Sequence, residues 1–293
     1  NNEIFYKNNP TEFVRQLLSS SQTYIRFLLG KNKDDSYNRY LSNIRHISGA
    51  ARMPFMLLIA GQSLPEKLFL ELSKQVENIF FVYLLVREPT GRFEPRFAQW
   101  CRKIRDIKNE HDLQVFMAEE IQPAKEQTKN RFKLAFENME ESSVPKSLLR
   151  YILAKLTQHI DELAYGETIV ETYLNKNVEV EHILPQTCSQ GIKDSFDKPA
   201  DIEKYIRRLG NLALLEKTIN TSVSNKPFDE KKKAYPKSKY LLTRSIAERV
   251  QVGHNTAIDR AVKDLENFDI WTSESIERRQ QLLTELAHKI WDM

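Results

Sequence analysis

Between Pro10 and Gly166 apolar residues return at three- and four-residue intervals, and this spacing constrains the chain more than any other feature. Phe13, Leu17 and Leu18 are followed by Tyr24, Phe27 and Leu28, and later by Leu68, Leu70, Leu72, Val76, Ile79, Phe80 and Leu84. With 3.6 residues per helical turn such positions share one face. The first half is therefore expected to be a helical scaffold whose stripes form plain core. A further stripe, Leu148, Leu149, Ile152, Leu153, Leu156 and Ile160, predicts a helix from Pro145 to Leu163. Turn-forming residues interrupt the periodicity at 88–91 and at 141–145. The second break is the expected boundary between a helical domain, 1–144, and a C-terminal domain, 145–293.

A chain of 293 residues can bury two ordinary cores, and 41% hydrophobic with 29% charged residues reads as soluble. No run of about 20 apolar residues is present, so nothing is expected to span a bilayer. A charged segment followed by an apolar one, the mark of a secretory signal, is absent, and the opening Asn1 reads as a cut inside a longer protein. Two cysteines, Cys101 and Cys188, can form neither a disulfide framework nor a four-ligand zinc site. Their scarcity suits a reducing cytoplasm, the expected location. The formal charge of +4 is compatible with a polyanionic partner.

The texture changes after Gly166. Val178 and Val180 alternate with Glu179 and Glu181, a half-buried strand pattern that runs into His182. A short helix is expected from Asp201 to Arg208. In LGNLALLEKTIN, Leu209 to Asn220, the first half suits a second strand and the second half a helix. The order is strand, strand, helix, so the fold expected is mainly α with a ββα core. A basic segment follows from Lys226 to Arg249, and two amphipathic helices, Ala257 to Phe268 and Ser273 to Trp291, close the chain.

Three polar groups of this ββα pattern, His182, Asn211 and Asn220, are of types that suit phosphodiester cleavage. A neutral imidazole such as His182 titrates in the range needed to deprotonate water. A divalent metal can offset charge on the phosphate, and hard ions such as Mg²⁺ take carboxylate and amide oxygens, which Glu181 and Asn220 can supply. Strict alternation points Glu181 away from the face shared by Val180 and His182, so both reach one phosphate only where the strand twists or bulges. Asn225 rivals Asn220 as a ligand, but five helical residues amount to about 140° of rotation, so the two are not expected to share one ion.

The residues Glu181-His182-Ile183-Leu184-Pro185-Gln186, then Leu209-Gly210-Asn211-Leu212-Ala213-Leu214-Leu215, then Asn220, resemble the HNH, or His-Me finger, nuclease domain at the C-terminus of GmrSD-type modification-dependent restriction enzymes. The nine-residue step from Asn211 to Asn220 matches the spacing of ordinary HNH fingers, and Trp271, Ile276, Arg279, Leu282, Ile290 and Trp291 are similar to the family's tail. The resemblance implies that His182 is the general base and that Asn211 braces the ribbon. It implies Glu181 and Asn220 as ligands of Mg²⁺ or Mn²⁺. It also implies a DNA partner, phage or modified, and an N-terminal nucleotide-hydrolysing domain whose Asp-Gly-Gln-Gln-Arg signature is not in this sequence. His182 and Asn211 lie 29 residues apart, more than in compact fingers, and with no paired CxxC zinc sites the ribbon must be held by its flanking helices.

The function expected is metal-dependent DNA cleavage in restriction or anti-phage defence. Lys226, Lys231, Lys232 and Lys233 are the expected phosphate contacts, since neutralised phosphates release counterions and add sequence-independent affinity. The alternative is a noncatalytic helical DNA-binding or protein-interaction module that keeps a degenerate finger. Cys188, near His182, lacks an orienting third group and is expected to be a buried thiol rather than a nucleophile.

Overall fold

The computed structural model describes residues 9–47 and 52–293, so Asn1, where an internal cut was expected, lies outside the described part. The chain is mainly helical, as the periodicities required, with two short strands. It divides into two compact units, residues 1–129 and 130–293. The first holds α1 (Pro10–Leu28), α2 (Arg39–Ile47), α3 (Arg52–Ala60), α4 (Glu66–Leu85), α5 (Thr90–Asp106) and α6 (Glu110–Phe116), the last continued by a π-helical turn at Met117–Ile121.

The α4 stripe is core, with Leu68, Leu72, Val76, Ile79 and Phe80 buried and Leu70 exposed. Tyr83, Phe97 and Trp100 stack in sequence across α4 and α5, and Phe116 of α6 meets Trp100 edge-on. The α1 stripe behaves differently. Phe27 is buried between the Phe55 and Phe69 rings, and Thr23 donates to Gln62 Oε1 at 2.7 Å, yet Phe13, Leu17, Leu18 and Leu28 are exposed. A hydrophobic stripe defines a face but not the surface that covers it, and the buried positions of α1, Thr23 and Phe27, lie near its C-terminal end.

The second unit contains α8 (Lys146–Tyr165), reached from α7 (Gln122–Glu137), in which the division falls. The expected α8 stripe, Leu148, Leu149, Ile152, Leu153, Leu156 and Ile160, is buried throughout. After α9 (Glu171–Leu174) come β1 (Val178–His182), α10 (Gln190–Ser195), α11 (Ile202–Arg207), β2 (Leu212–Glu216), α12 (Lys217–Val223) and α13 (Phe228–Lys232). The unit closes with α14 (Leu241–Ala247), α15 (Ala257–Val262) and α16 (Ser273–Trp291). The turn-rich stretch 141–145 lies inside this unit. The strands pair antiparallel, with Glu181 opposite Ala213 and His182 opposite Leu212. Side chains alternate across such a ribbon, so Glu179 and Glu181 share one face while Val178, Val180 and His182 share the other.

The closing helix does what zinc does in other small folds. Arg279, pulled down to a pKa of about 10 by its burial, donates through Nη1 to the carbonyls of Gly210 and Leu212, each at 2.7 Å. Gln280 accepts from Gly210 N at 2.6 Å through its side-chain oxygen and donates through its nitrogen to Phe136 O at 2.6 Å. Gly210 lies so close to α16 that a Cβ would sit 2.2 Å from Ile276 O, which only glycine avoids. The start of β2 is thus bound to α16 by polar contacts sealed from water, where each unmade hydrogen bond would cost about 1–3 kcal/mol. No helix among the described residues is long and apolar enough to cross a membrane.

Candidate active site

Asn211, fully buried just before β2, is the most heavily bonded side chain of the ribbon. Its Nδ2 donates to Leu184 O and Ile206 O, both at 2.9 Å, and its Oδ1 accepts from Leu184 N at 2.7 Å and Trp271 Nε1 at 2.9 Å. One amide thereby ties the segment after β1 to the end of α11 and to the approach of α16. With its donors and acceptor occupied, Asn211 braces the ribbon and has nothing left to offer a substrate.

On one face of β1, Glu181 is 4% exposed, and its Oε1 accepts from Lys231 Nζ at 2.6 Å and from Tyr235 OH at 2.8 Å. The same ammonium donates to His182 O at 2.6 Å. Burial pushes the Glu181 carboxyl up, against the pull of Lys231, and pushes the Lys231 ammonium down, against the pull of Glu181. Removing water from both charges opposes their attraction, and the pair holds because each also makes further hydrogen bonds. This corrects the expectation for Lys231 as a phosphate contact: it stands in a charge run with Lys232 and Lys233, but it is 0% exposed and is committed to Glu181, so it cannot meet DNA.

His182 ends the strand with its side chain on the other face. Its Nε2 lies 3.3 Å from Glu141 Oε2 and 3.2 Å from Gln186 Nε2. Burial depresses its pKa, the Glu141 carboxylate acts the other way, and the Lys231 charge reinforces the depression, so the ring is a neutral imidazole near pH 7. Gln186 is exposed and Glu141 half-buried, which places the ring just beneath the surface. No local pattern singles out Glu141, which precedes His182 by 41 residues. Cys188 is half-buried rather than sealed, with Sγ 3.2 Å from Pro185 O and a thiol raised by burial.

Asn220, on α12, donates to Glu179 Oε2 at 2.8 Å. Glu179 shares its face with Glu181, so Asn220 is brought to the face of β1 opposite the His182 side chain. Asn225 falls beyond the end of α12, after Ser224 at φ +42°, and is exposed. The pair proposed from sequence for a divalent ion therefore does not fit one as placed. The Glu181 carboxylate already carries an ammonium, whose charge would repel a dication, and the Asn220 amide is turned to Glu179. Among the described residues no group of three or more His, Cys, Asp and Glu side chains is placed to hold a metal. Of the remaining lysines, Lys233 is exposed, Lys226 is exposed and 3.6 Å from Glu230, and Lys232 pairs with Asp269 at 2.9 Å.

Fold and site together define a mainly helical protein in which a two-stranded ribbon and its following helix, clamped by a C-terminal helix, carry a neutral histidine at the strand end. The model of the family described as GmrSD restriction endonucleases, C-terminal domain, matches residues 126–286, more than half of the chain, and the chain belongs to that family. No curated protein matches it.

Proposed function

We propose that this chain is a DNA endonuclease of HNH type, acting in restriction or anti-phage defence, with His182 as its general base. Membership of a restriction-endonuclease family supports a phosphodiester substrate. The single observation that carries the residue assignment is the imidazole at the end of β1, just beneath the surface and held through Nε2 alone by the side chains of Glu141 and Gln186. In this reading His182 takes a proton from water, the water oxygen bonds to phosphorus, and the bond from phosphorus to the 3′ oxygen breaks as that oxygen collects a proton from solvent. Lys226, Lys232 and Lys233 hold flanking phosphates. The surface pairs to Glu230 and Asp269 are weak enough to exchange for phosphate. Glu181 and Asn220, engaged with Lys231 and Glu179, have no role as metal ligands in this reading.

The test is nicking of supercoiled plasmid with Mg²⁺ or Mn²⁺, with and without chelator. His182→Ala is expected to lower the rate at least about 100-fold, the low end of what a general base contributes, while melting temperature and plasmid binding stay at wild-type values. Wild-type cutting by that variant removes the base assignment. A second reading, a noncatalytic DNA-binding module, is favoured by two observations: Glu181 is sealed against Lys231, and Asn220 is bonded to Glu179 on the face away from His182. Plasmid binding without nicking by the wild-type chain in either metal would select it.

A further inference from the structure

We propose that Glu141 is the positioning residue of the His182 site: its carboxylate keeps the ring proton on Nε2, leaving Nδ1 as the nitrogen that receives a proton from water. The inference rests on the endonuclease reading above. A carboxylate only accepts hydrogen bonds, so the ring nitrogen 3.3 Å from Glu141 Oε2 is the one that carries hydrogen. A neutral imidazole has one such proton, so the lone pair belongs to Nδ1, which no group among the described residues hydrogen-bonds. The exposed Gln186 side chain, 3.2 Å from Nε2, shares that N–H once its amide oxygen is turned inward, and it covers this side of the ring.

Glu141 is held in place by the fold. It opens the 3-10 turn Glu141–Ser143, whose two ends are tied by Ser143 N to Glu140 O at 2.9 Å and by Glu140 N to Ser143 Oγ at 2.9 Å. The preceding residues are bound to the segment leading into β2: Glu140 bridges Arg208, Leu209 N donates to Met139 O at 3.0 Å, and Gln280 reaches Met139 O at 3.2 Å. Contacts to the start of β2 and to α16 thus deliver a carboxylate to the end of β1.

The arrangement favours the transition state over the resting state. As Nδ1 takes the water proton, positive charge grows on a ring already touching an anion, and Glu141 interacts more strongly with that charge than with the neutral ring. Nε2 keeps its proton, and none passes to Glu141. Lys231, bonded to the His182 carbonyl, works in the opposite sense through its own charge, which leaves Glu141 as the group that steadies the imidazolium.

Two measurements on the full chain test this. In ¹⁵N-labelled protein, with His182 assigned through His182→Gln, the neutral ring is expected to be the Nε2–H tautomer in wild type and a mixture in Glu141→Gln and Glu141→Ala. In the nicking assay both variants should lose kcat by at least about 10-fold, with KM unchanged or lower because an anion near the phosphates is gone, and Glu141→Asp should restore part of the loss. A kcat within twofold of wild type in Glu141→Ala, or a wild-type ring protonated on Nδ1, overturns the proposal. If the wild-type chain does not cut DNA, the endonuclease reading fails by itself, and the tautomer measurement still decides what Glu141 does.

Discussion

Glu181 and His182 are adjacent in sequence and point to opposite faces of β1, and their surroundings divide the ribbon into a sealed side and an open end. Glu181 is sealed by Lys231 and Tyr235, and the nearby Asn211 network is likewise closed to water. His182 meets a half-buried carboxylate and an exposed amide. Damage on the sealed side should therefore appear as lost stability, and damage at the open end as lost chemistry with little loss of stability.

The largest effect is expected from Asn211→Leu. It strands Leu184 N, Leu184 O, Ile206 O and Trp271 Nε1 inside the unit, and at about 1–3 kcal/mol for each such group the total exceeds about 4 kcal/mol. Urea unfolding should find residues 130–293 largely unfolded in water. A midpoint near wild type would mean that the ribbon is not braced here.

Next comes Lys231→Met, which leaves the Glu181 carboxylate buried without its cation and should cost about 3–5 kcal/mol in the same titration. Adding Glu181→Leu should recover most of that, because removing both charges also removes the desolvation penalty. Equal stability of wild type and Lys231→Met would show Glu181 to be solvated and free for another ligand. Glu141→Gln, at the open end, should shift stability by less than about 1 kcal/mol.

A smaller effect separates a buried acid with a cation from one without. Asp161, on α8, accepts from Leu241 N and Tyr173 OH, each at 3.1 Å, and burial raises its carboxyl pKa to about 6. The folded value lies above the unfolded one of about 3.9, so ionising Asp161 disfavours the folded state. Its contribution to stability is complete below about pH 4 and declines as pH rises to about 6, by at most about 2–3 kcal/mol. Asp161→Asn should remove this slope. The difference in unfolding free energy between variant and wild type is expected to grow in the variant's favour from pH 4 to pH 6 and to level off above. A flat difference would show that Asp161 is solvated.

Local pattern made much of the architecture legible. The buried α8 stripe, β1 ending at His182, the helix after β2 and the closing Ser273–Trp291 helix all follow from periodicity and breaks, which are properties of short windows of sequence. Alternation along β1 is likewise enough to put Glu181 and His182 on opposite faces. What a window cannot carry is the identity of the surface packed against it. Lys231, Lys232 and Lys233 are the same residue in one run, and only the docking of α13 beneath β1 makes the first an internal counter-ion. The exposed stripe of α1 makes the same point in reverse, as an apolar face with most of its length uncovered.

By itself, then, the sequence determined the helical class and the ribbon with its histidine, because each is written in local spacing and residue chemistry; the brace at Asn211 was expected only from the resemblance to a known family's motif. Only the tertiary structure decided which acid serves which partner. It turned Glu181 away from the His182 site and into a pair with Lys231, and it brought Glu141 to the imidazole from 41 residues upstream. Burial and charge pairing depend on distance in space, and packing sets that distance.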